Sequence, residues 1–283
     1  MRNPGLVYIS STGFGQTGPY RDRNGYDTVF QALSGIMSLT GHPGTPPAKT
    51  GIPVADMASA LWIAIAALAG LAGRGVSGRG AHVDLAMMDV QVSLLALAAA
   101  RVFALDESPS RTGTEHPGRV PSAAFECSDG GWLHISASDQ HWAPLCDVLA
   151  LDELAADPAL ATNAGRVAER SRVSDALRAA IAARGRDDLA DALRAAGVPV
   201  GEVKSVPEVL DDQQVRARAM VGEFDHPTEG TFPALRTPLL FDGFDDPRPA
   251  APPLLGADND DVLGQRLGLT AVELAALREE GVI

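Results

Sequence analysis

From Met57 to Gly73 (MASALWIAIAALAGLAG) the chain carries no charged side chain, and a single aspartate, Asp56, stands at the head of this run. No other feature constrains the fold as strongly. As a helix the run is apolar all round, so it belongs in a core or in a membrane. It is short for a bilayer span, rich in Ala and Gly, and has no companion segment elsewhere. The expectation is a buried core helix.

A buried helix needs layers around it, and the flanking sequence offers them. LVYIS (6–10) reads as a short buried strand ended by the Gly-rich loop TGFGQTGP. YDTVFQALSGIMSLTG (26–41) reads as one helix, with Val29, Leu33 and Ile36 on a single face and Gly41 at its stop. HPGTPPAK (42–49) is a Pro/Gly loop, after which Asp56 opens the apolar helix. RGVSGRG (74–80) is a turn and HVDLAM (82–87) an alternating strand; Asp89 is placed to cap a further apolar helix, VQVSLLALAAA (90–100). Alternating strands and helices predict an α/β layer.

With 283 residues, 46% of them hydrophobic, the chain is long enough for two lobes. The polar, Pro/Gly-containing run from Asp106 to Arg119 is the best linker. Beyond it, AFECSDGGWLHISAS predicts a hairpin around Asp129-Gly130-Gly131. Helices follow around Trp142–Leu149, Val173–Ala183 and Leu189–Ala196, then a strand at 198–203. A loop-rich stretch covers 222–253, and the last helices lie near Asp261–Leu267 and Ala271–Glu280.

The net charge of −13 and the absence of a basic stripe argue against nucleic acid as a partner. An anionic ligand would need a local cluster of Arg or backbone N–H groups. Cys127 and Cys146 form no C-x-x-C, which fits a reducing cytoplasm rather than a disulfide scaffold or a zinc module. The N-terminus shows no signal-peptide pattern. Lys49 and Lys204 are the only lysines; with the high Ala content this suits a bacterial genome rich in GC.

Gly13-Phe14-Gly15-Gln16-Thr17-Gly18 matches G-x-G-x-x-G after a strand, but no apolar periodicity follows to make the helix a dinucleotide site requires. A tight turn, or a loop whose backbone lies close to some ligand, remains. The Gly44…Lys49-Thr50 segment lacks the Gly before Lys of a phosphate loop. The six histidines show no ligand spacing, and Asp258–Asp261 reads as a helix cap rather than a calcium loop, so no metal is expected. Asp56 keeps two readings. An N-cap worth about 1 kcal/mol is one. The other is an oriented carboxylate nucleophile, with the N–H groups of the first helical turn beside it to stabilise a developing oxyanion.

Three segments, LVYISSTGFGQTGPYRDRNGYDTVFQALSGIMSLTG, PAKTGIPVADMASALWIAIAALAGL and SGRGAHVDLAMMD, resemble the family III CoA-transferases, which include formyl-CoA transferase, carnitine CoA-transferase and α-methylacyl-CoA racemase. RTGTEHPGRVPSAAFECSDGGWLHI, DPALATNAGRV, AGVPVGEVKSVPEVLDD and PLLGADNDDVLGQRLGLT continue the resemblance in order, to Ile283. It implies a Rossmann-like, CoA-binding large domain of which 1–100 are part, a linker at 101–119, a small α+β domain at 120–221, and a linker and return to the large domain at 222–283. It also implies that the chain starts inside the large domain, without the family's N-terminal segment and its N-R-N-K and N-F-R-P-G motifs, and that two copies form an interlocked homodimer.

The resemblance assigns Asp56 as the nucleophile. It attacks an acyl-CoA thioester to give a mixed anhydride, the CoA thiolate converts this to an aspartyl-CoA thioester, and an acceptor carboxylate takes the CoA through a second anhydride. CoA thioester and carboxylic acid are substrates; no permanently bound cofactor, metal, nucleic acid or membrane is implied. Asn24, Gly25 and Tyr26 match the stretch that lies against CoA, although the transferase has Lys at the position of Asn24. Tyr26 stands where the racemase branch has histidine, and a phenol with an ordinary pKa near 10 is a poor base at neutral pH, which favours transfer. The loop over the site, glycine-rich in formyl-CoA transferase, matches Thr114–Arg119 here, placing His116 and Gly118 as substrate-loop candidates and pointing away from oxalate and formate. Two alternatives stay open: an acyl-CoA racemase or isomerase of the same fold, and an inactive fragment or subunit of a split CoA-transferase.

Overall fold

A computed structural model describes residues 3–244 and 249–283, so what was expected of 1–2 and of 245–248 lies outside the described residues. The chain divides into two compact units, Met1–Val203 and Lys204–Ile283.

In the first unit, β1 (Tyr8–Thr12) pairs in parallel with β2 (His82–Ala86), Tyr8 opposite His82 and Thr12 opposite Ala86. Parallel strands need a crossover connection, and here it carries α1 (Asp27–Leu33), α2 (Ile36–Leu39) and α3 (Val54–Ser77). The α/β class expected from the alternation is the one observed. α4 (Met87–Leu94) and α5 (Ala96–Leu105) follow, bent by 63° to each other.

Four local expectations need correction here. The helix expected over 26–41 is two helices, because Gly35 adopts φ 93°, a left-handed conformation that ends α1 and restarts the chain as α2. The helix expected over 90–100 starts earlier, at Met87, and breaks at Leu95, so Asp89 lies inside the first turn rather than at the cap. The strand expected at 6–10 is displaced to Tyr8–Thr12.

The fourth correction concerns α3, which is not buried. Leu61, Ile65 and Leu68 are each more than half exposed, and only Ala55 and Ser59 are buried. The helix has 24 residues, about 36 Å of length, and a two-stranded sheet is far too narrow to cover it. By length and composition alone α3 is apolar enough to cross a membrane.

The rest of this unit has its own core. β3 (Ser122–Glu126), β4 (Trp132–Ser136) and β5 (Val200–Glu202) form an antiparallel sheet, with the β3–β4 hairpin turning at Asp129–Gly131 as expected; Gly130 has φ 78°. Helices α6 (Asp139–Leu149), α7 (Asp152–Ala155), α8 (Asn163–Ala168), α9 (Arg170–Ile181) and α10 (Arg186–Ala195) belong to the same segment. Leu133 and Ile135 of β4, Leu145 of α6, Leu177 and Ile181 of α9 and Leu193 of α10 have no exposure at all. Arg166 of α8 is also fully buried, and each of its three guanidinium nitrogens donates a hydrogen bond. It donates to the carbonyls of Val120 (2.7 Å) and Leu160 (2.8 Å) and to Asp139 Oδ1 (2.7 Å), and lies 5.0 Å from the Trp142 ring centre.

The second unit contains α11 (Val206–Leu210), α12 (Gln213–Ala217), the antiparallel pair β6 (Val221–His226) and β7 (Gly230–Leu235), a π-helical turn at Asp260–Arg266 and α13 (Ala271–Glu279). The β6–β7 hairpin lies in the stretch expected to be loop. Its turn needs Gly230 at φ 86°, and Phe224 stacks on Phe232 across the strands at 6.0 Å. Asp260 and Asp261 do not cap the turn that follows; they pair with Arg278 and Arg266.

Candidate active site

Asp56 is the third residue of α3, not its cap. Pro53 holds the cap position and offers no side-chain acceptor. The cap comes instead from α1, where Asp27 Oδ1 accepts the Ala55 N–H at 2.8 Å. Asp27 Oδ2 accepts Gln31 Nε2 at 2.6 Å, and Gln31 Oε1 accepts the Thr50 N–H at 2.9 Å. Gln31, at the middle of this chain of bonds, is fully buried, while Asp27 and Thr50 at its ends are half-buried.

The remaining donors of the first turn divide unequally. The Val54 N–H goes to the Ile52 carbonyl (2.8 Å) and that of Met57 to the Pro53 carbonyl (3.0 Å). The N–H of Asp56 meets no acceptor among the described residues, and its exposed carboxylate has no hydrogen-bond or ion-pair partner among them. A carboxylate at a helix head, unengaged and beside one free N–H, is chemically suited to nucleophilic attack, with that N–H available to a developing oxyanion.

Asn24, Gly25 and Tyr26 lie immediately before α1. Tyr26 takes its N-cap position, its carbonyl accepting the N–H groups of Val29 (2.8 Å) and Phe30 (3.2 Å), and its ring is 85% exposed. Gly25 has a steric reason: a Cβ there would stand 2.7 Å from Phe30 Cζ, and one on Gly13 would meet the same atom at 2.7 Å. The buried Phe30 ring therefore requires both glycines, and brings the Gly-rich loop against the Asn24–Tyr26 strip. Because Asp27 follows Tyr26 and Ala55 precedes Asp56, the Asp27–Ala55 bond also ties this strip to the proposed nucleophile.

The Gly-rich loop does not open a helix, which is the context a dinucleotide site lacks here. Two of its amides are already engaged. Gly15 N–H donates to Thr12 Oγ1 at 2.9 Å and Gln16 N–H to Asp84 Oδ2 at 3.0 Å.

His116 and Gly118 sit in a separate, pinned loop. Gly118 N–H donates to His116 Nδ1 at 3.0 Å. Arg170 donates to the carbonyls of His116 (3.2 Å) and Pro117 (2.6 Å), and Asn163 Nδ2 to that of Gly118 (3.0 Å). The cavity beside this loop, about 530 Å³, is lined by His42, Arg111, Glu115, Pro117, Trp132 and Arg170 and does not include Asp56. Among the described residues, no group of three or more His, Cys, Asp or Glu is arranged to hold a metal ion.

Sequence reasoning missed Asp27, Gln31 and Thr50. The available signal was polar residues at i and i+4, Asp27 and Gln31, on a helix otherwise read for its apolar face.

Residues 1–259 match the family described as CoA-transferase family III, and the chain belongs to that family. It is 35% identical over 238 residues to the succinate–glutarate CoA-transferase of Agrobacterium fabrum, covering 84% of this chain and 60% of that protein. It is 35% identical over 255 residues to the acetyl-CoA:oxalate CoA-transferase of Acetobacter aceti, covering 89% of this chain and 64% of that protein. The chain thus spans less than two thirds of the length of these relatives. Among solved structures, a CaiB/BaiF family protein from Brucella suis is 37% identical, with a TM-score of 0.78 over 93% of this chain and 68% of that one.

Proposed function

We propose that this chain carries the catalytic part of a CoA-transferase, moving CoA from an acyl-CoA thioester to a carboxylic acid by covalent catalysis at Asp56. The observation that carries the reading is the state of Asp56: exposed, unpaired among the described residues, in the first turn of α3 and next to an unengaged N–H. One Asp56 oxygen attacks the thioester carbonyl and the C–S bond breaks, leaving a mixed anhydride and CoA thiolate. The thiolate attacks the aspartyl carbonyl and releases the donor acid, giving an aspartyl-CoA thioester. The acceptor carboxylate then attacks this thioester to form a second anhydride, and thiolate attack at the acceptor carbonyl completes the transfer and regenerates the carboxylate. Each step exchanges one acyl bond for another, and none needs a metal, a redox partner or a permanently bound cofactor.

The exposed Tyr26 and the Asn24–Gly25 backbone are proposed to lie along the CoA thioester. A tyrosine at this place supports transfer over racemisation, because a neutral phenol is a weak α-proton base. The loop of His116 and Gly118 is proposed to border the acyl group. The names of the relatives, which pair CoA with succinate, glutarate, acetate and oxalate, support a small mono- or dicarboxylic acceptor. We further propose a large-domain part at 1–100, a linker at 101–119, a small domain at 120–221, a linker and return at 222–283, and a homodimer in a reducing cytoplasm.

The test is exchange of isotopically labelled carboxylic acids into acyl-CoA, with wild type and Asp56→Ala side by side. The reading predicts exchange that depends on both an acyl-CoA donor and an acceptor acid and disappears in Asp56→Ala. Solvent deuterium entering the α-carbon without any acceptor acid would overturn it in favour of an isomerase.

A further inference from the structure

We infer that Asp27 is a positioning residue for the reaction at Asp56, and that it works through a hydrogen-bond relay that runs by way of the buried Gln31 to Thr50. The inference rests on the reading of Asp56 as the nucleophile.

Helix α3 has no side-chain cap of its own. A helix head leaves its first N–H groups without intrahelical acceptors, and Ser, Thr, Asp or Asn at the cap usually supplies one. Here the cap is Pro53, which has none. The segment in front of it, from His42 to Pro53, has no regular secondary structure. Local sequence therefore does little to fix where Asp56 stands.

Asp27 fixes it from another helix. Its two carboxylate oxygens face different partners: Oδ1 takes the Ala55 amide at 2.8 Å and Oδ2 takes Gln31 Nε2 at 2.6 Å. Gln31 passes the constraint on, its Oε1 accepting the Thr50 amide at 2.9 Å. The irregular segment is thus clamped at Thr50 and at Ala55, either side of its approach to α3. Both clamps lead back to the first two turns of α1, whose cap is Tyr26.

The polarity of the relay is directional. Asp27 only accepts; Gln31 donates with one end and accepts with the other; the two ends of the line are backbone donors. An asparagine at position 27 could still accept from Ala55. Its amide would then point at the Gln31 amide; if Gln31 turned over, its NH2 could reach Thr50 Oγ1, which already gives its proton to the Ile52 carbonyl, but the Thr50 N–H would lose its acceptor. Either way a donor of the relay is left without its acceptor beside the buried Gln31. A glutamate at position 31 in the same chain repairs it, accepting from the new amide at position 27 on one oxygen and from Thr50 on the other. The relay is therefore broken by Asp27→Asn alone, broken by Gln31→Glu alone, where two carboxylates meet, and closed again in the double variant.

The experiment measures the rate at which hydroxylamine traps acyl or CoA adducts on Asp56, as a function of acyl-CoA concentration, in wild type, D27N, Q31E, D27N/Q31E and D56A. It is run well below the melting transition of each. Misplacing a nucleophile by about 1 Å costs roughly 100-fold in rate. The expected result is a fall of about that size in the saturating trapping rate for D27N, a half-saturating acyl-CoA concentration within about threefold of wild type, and recovery of most of the rate in D27N/Q31E. Hydrogen exchange over residues 50–57 should accelerate in D27N and return toward wild type in the double variant, while exchange in the middle of α3 stays unchanged.

If D27N traps at the wild-type rate while D56A traps nothing, Asp27 has no positioning role and only the nucleophile reading survives. A lowered melting temperature in D27N with an unchanged trapping rate overturns the inference in the same way, leaving a purely structural residue. If D56A itself still traps adducts as wild type does, it is the nucleophile reading that fails.

Discussion

Asp27 Oδ1 accepts the backbone N–H of Ala55 at 2.8 Å, so the residue after Tyr26 is bonded to the residue before Asp56. One carboxylate–amide bond thereby joins the two parts of the candidate site that sequence places some thirty positions apart. The packing around that junction, and the stability of the chain that holds it, can each be measured.

Gly25 and Gly13 should be intolerant of a methyl group. A Cβ at either would stand 2.7 Å from Phe30 Cζ, and Phe30 is buried. Gly25→Ala should destabilise the chain by about 1–3 kcal/mol, the usual cost of overpacking. Shortening the obstacle with Phe30→Leu should return part of that loss, giving a coupled double-mutant cycle by thermal melts. A neutral Gly25→Ala would contradict the packing described.

Arg166 is the test of the antiparallel-sheet segment. Arg166→Met would leave the Val120 and Leu160 carbonyls without donors in a dry core and should cost about 3–5 kcal/mol, read as a lower urea midpoint. Its partner Asp139 is half exposed, and Asp139→Asn should cost far less. The Arg166 hydrogen bond holds the Asp139 carboxyl below its ordinary 3.8. A lowered carboxyl stabilises the fold above the unfolded value and loses that contribution as pH falls through the folded one. The part of the acid limb that Asp139 contributes should thus lie below pH 3.8 and be lost in Arg166→Met.

The two cysteines should be inert in the folded chain. Burial, then the nearby Asp147 charge, pushes the Cys146 thiol from 9.0 up to about 11, with Arg166 opposing. Burial likewise raises Cys127. A thiol held protonated makes little nucleophilic thiolate. Iodoacetamide at pH 8 should label both only after denaturation. Because the unfolded thiol gives up its proton at lower pH, stability should decline as pH rises from 9.0 toward about 11. Rapid labelling of native protein would contradict this.

The bare face of α3 should make the chain associate. Leu61 and Leu68 are each 67% exposed and belong to a large apolar patch. Leu61→Glu and Leu68→Glu should reduce self-association in sedimentation velocity and shift stability by no more than about 0.5 kcal/mol, as for exposed positions. A loss several times larger than that would mean that these side chains are packed.

Much of this was legible in the sequence, for physical reasons that differ by element. The β3–β4 hairpin could be read because Asp129-Gly130-Gly131 supplies the turn that alternating strands need. α9 and α10 could be read because their apolar residues repeat at helical spacing. The break at Gly35 was hidden because periodicity continues across it while the backbone does not. The exposure of α3 was hidden because apolar composition states what a helix prefers, not how much partner surface is present to cover it. In the candidate site, the motif singles out Asp56 as a candidate but does not mark the relay through Asp27, Gln31 and Thr50. It depends on which helix lies beside α3, and that is a tertiary fact.

The most direct measurement is peptide mapping after incubation of the chain with acyl-CoA and hydroxylamine. Hydroxylamine converts an aspartyl anhydride or an aspartyl-CoA thioester to a stable hydroxamate. Nucleophilic catalysis at Asp56 predicts a hydroxamate on that residue that requires acyl-CoA and is absent from Asp56→Ala. An Asp56 that stays unmodified in folded chain with acyl-CoA bound would contradict it.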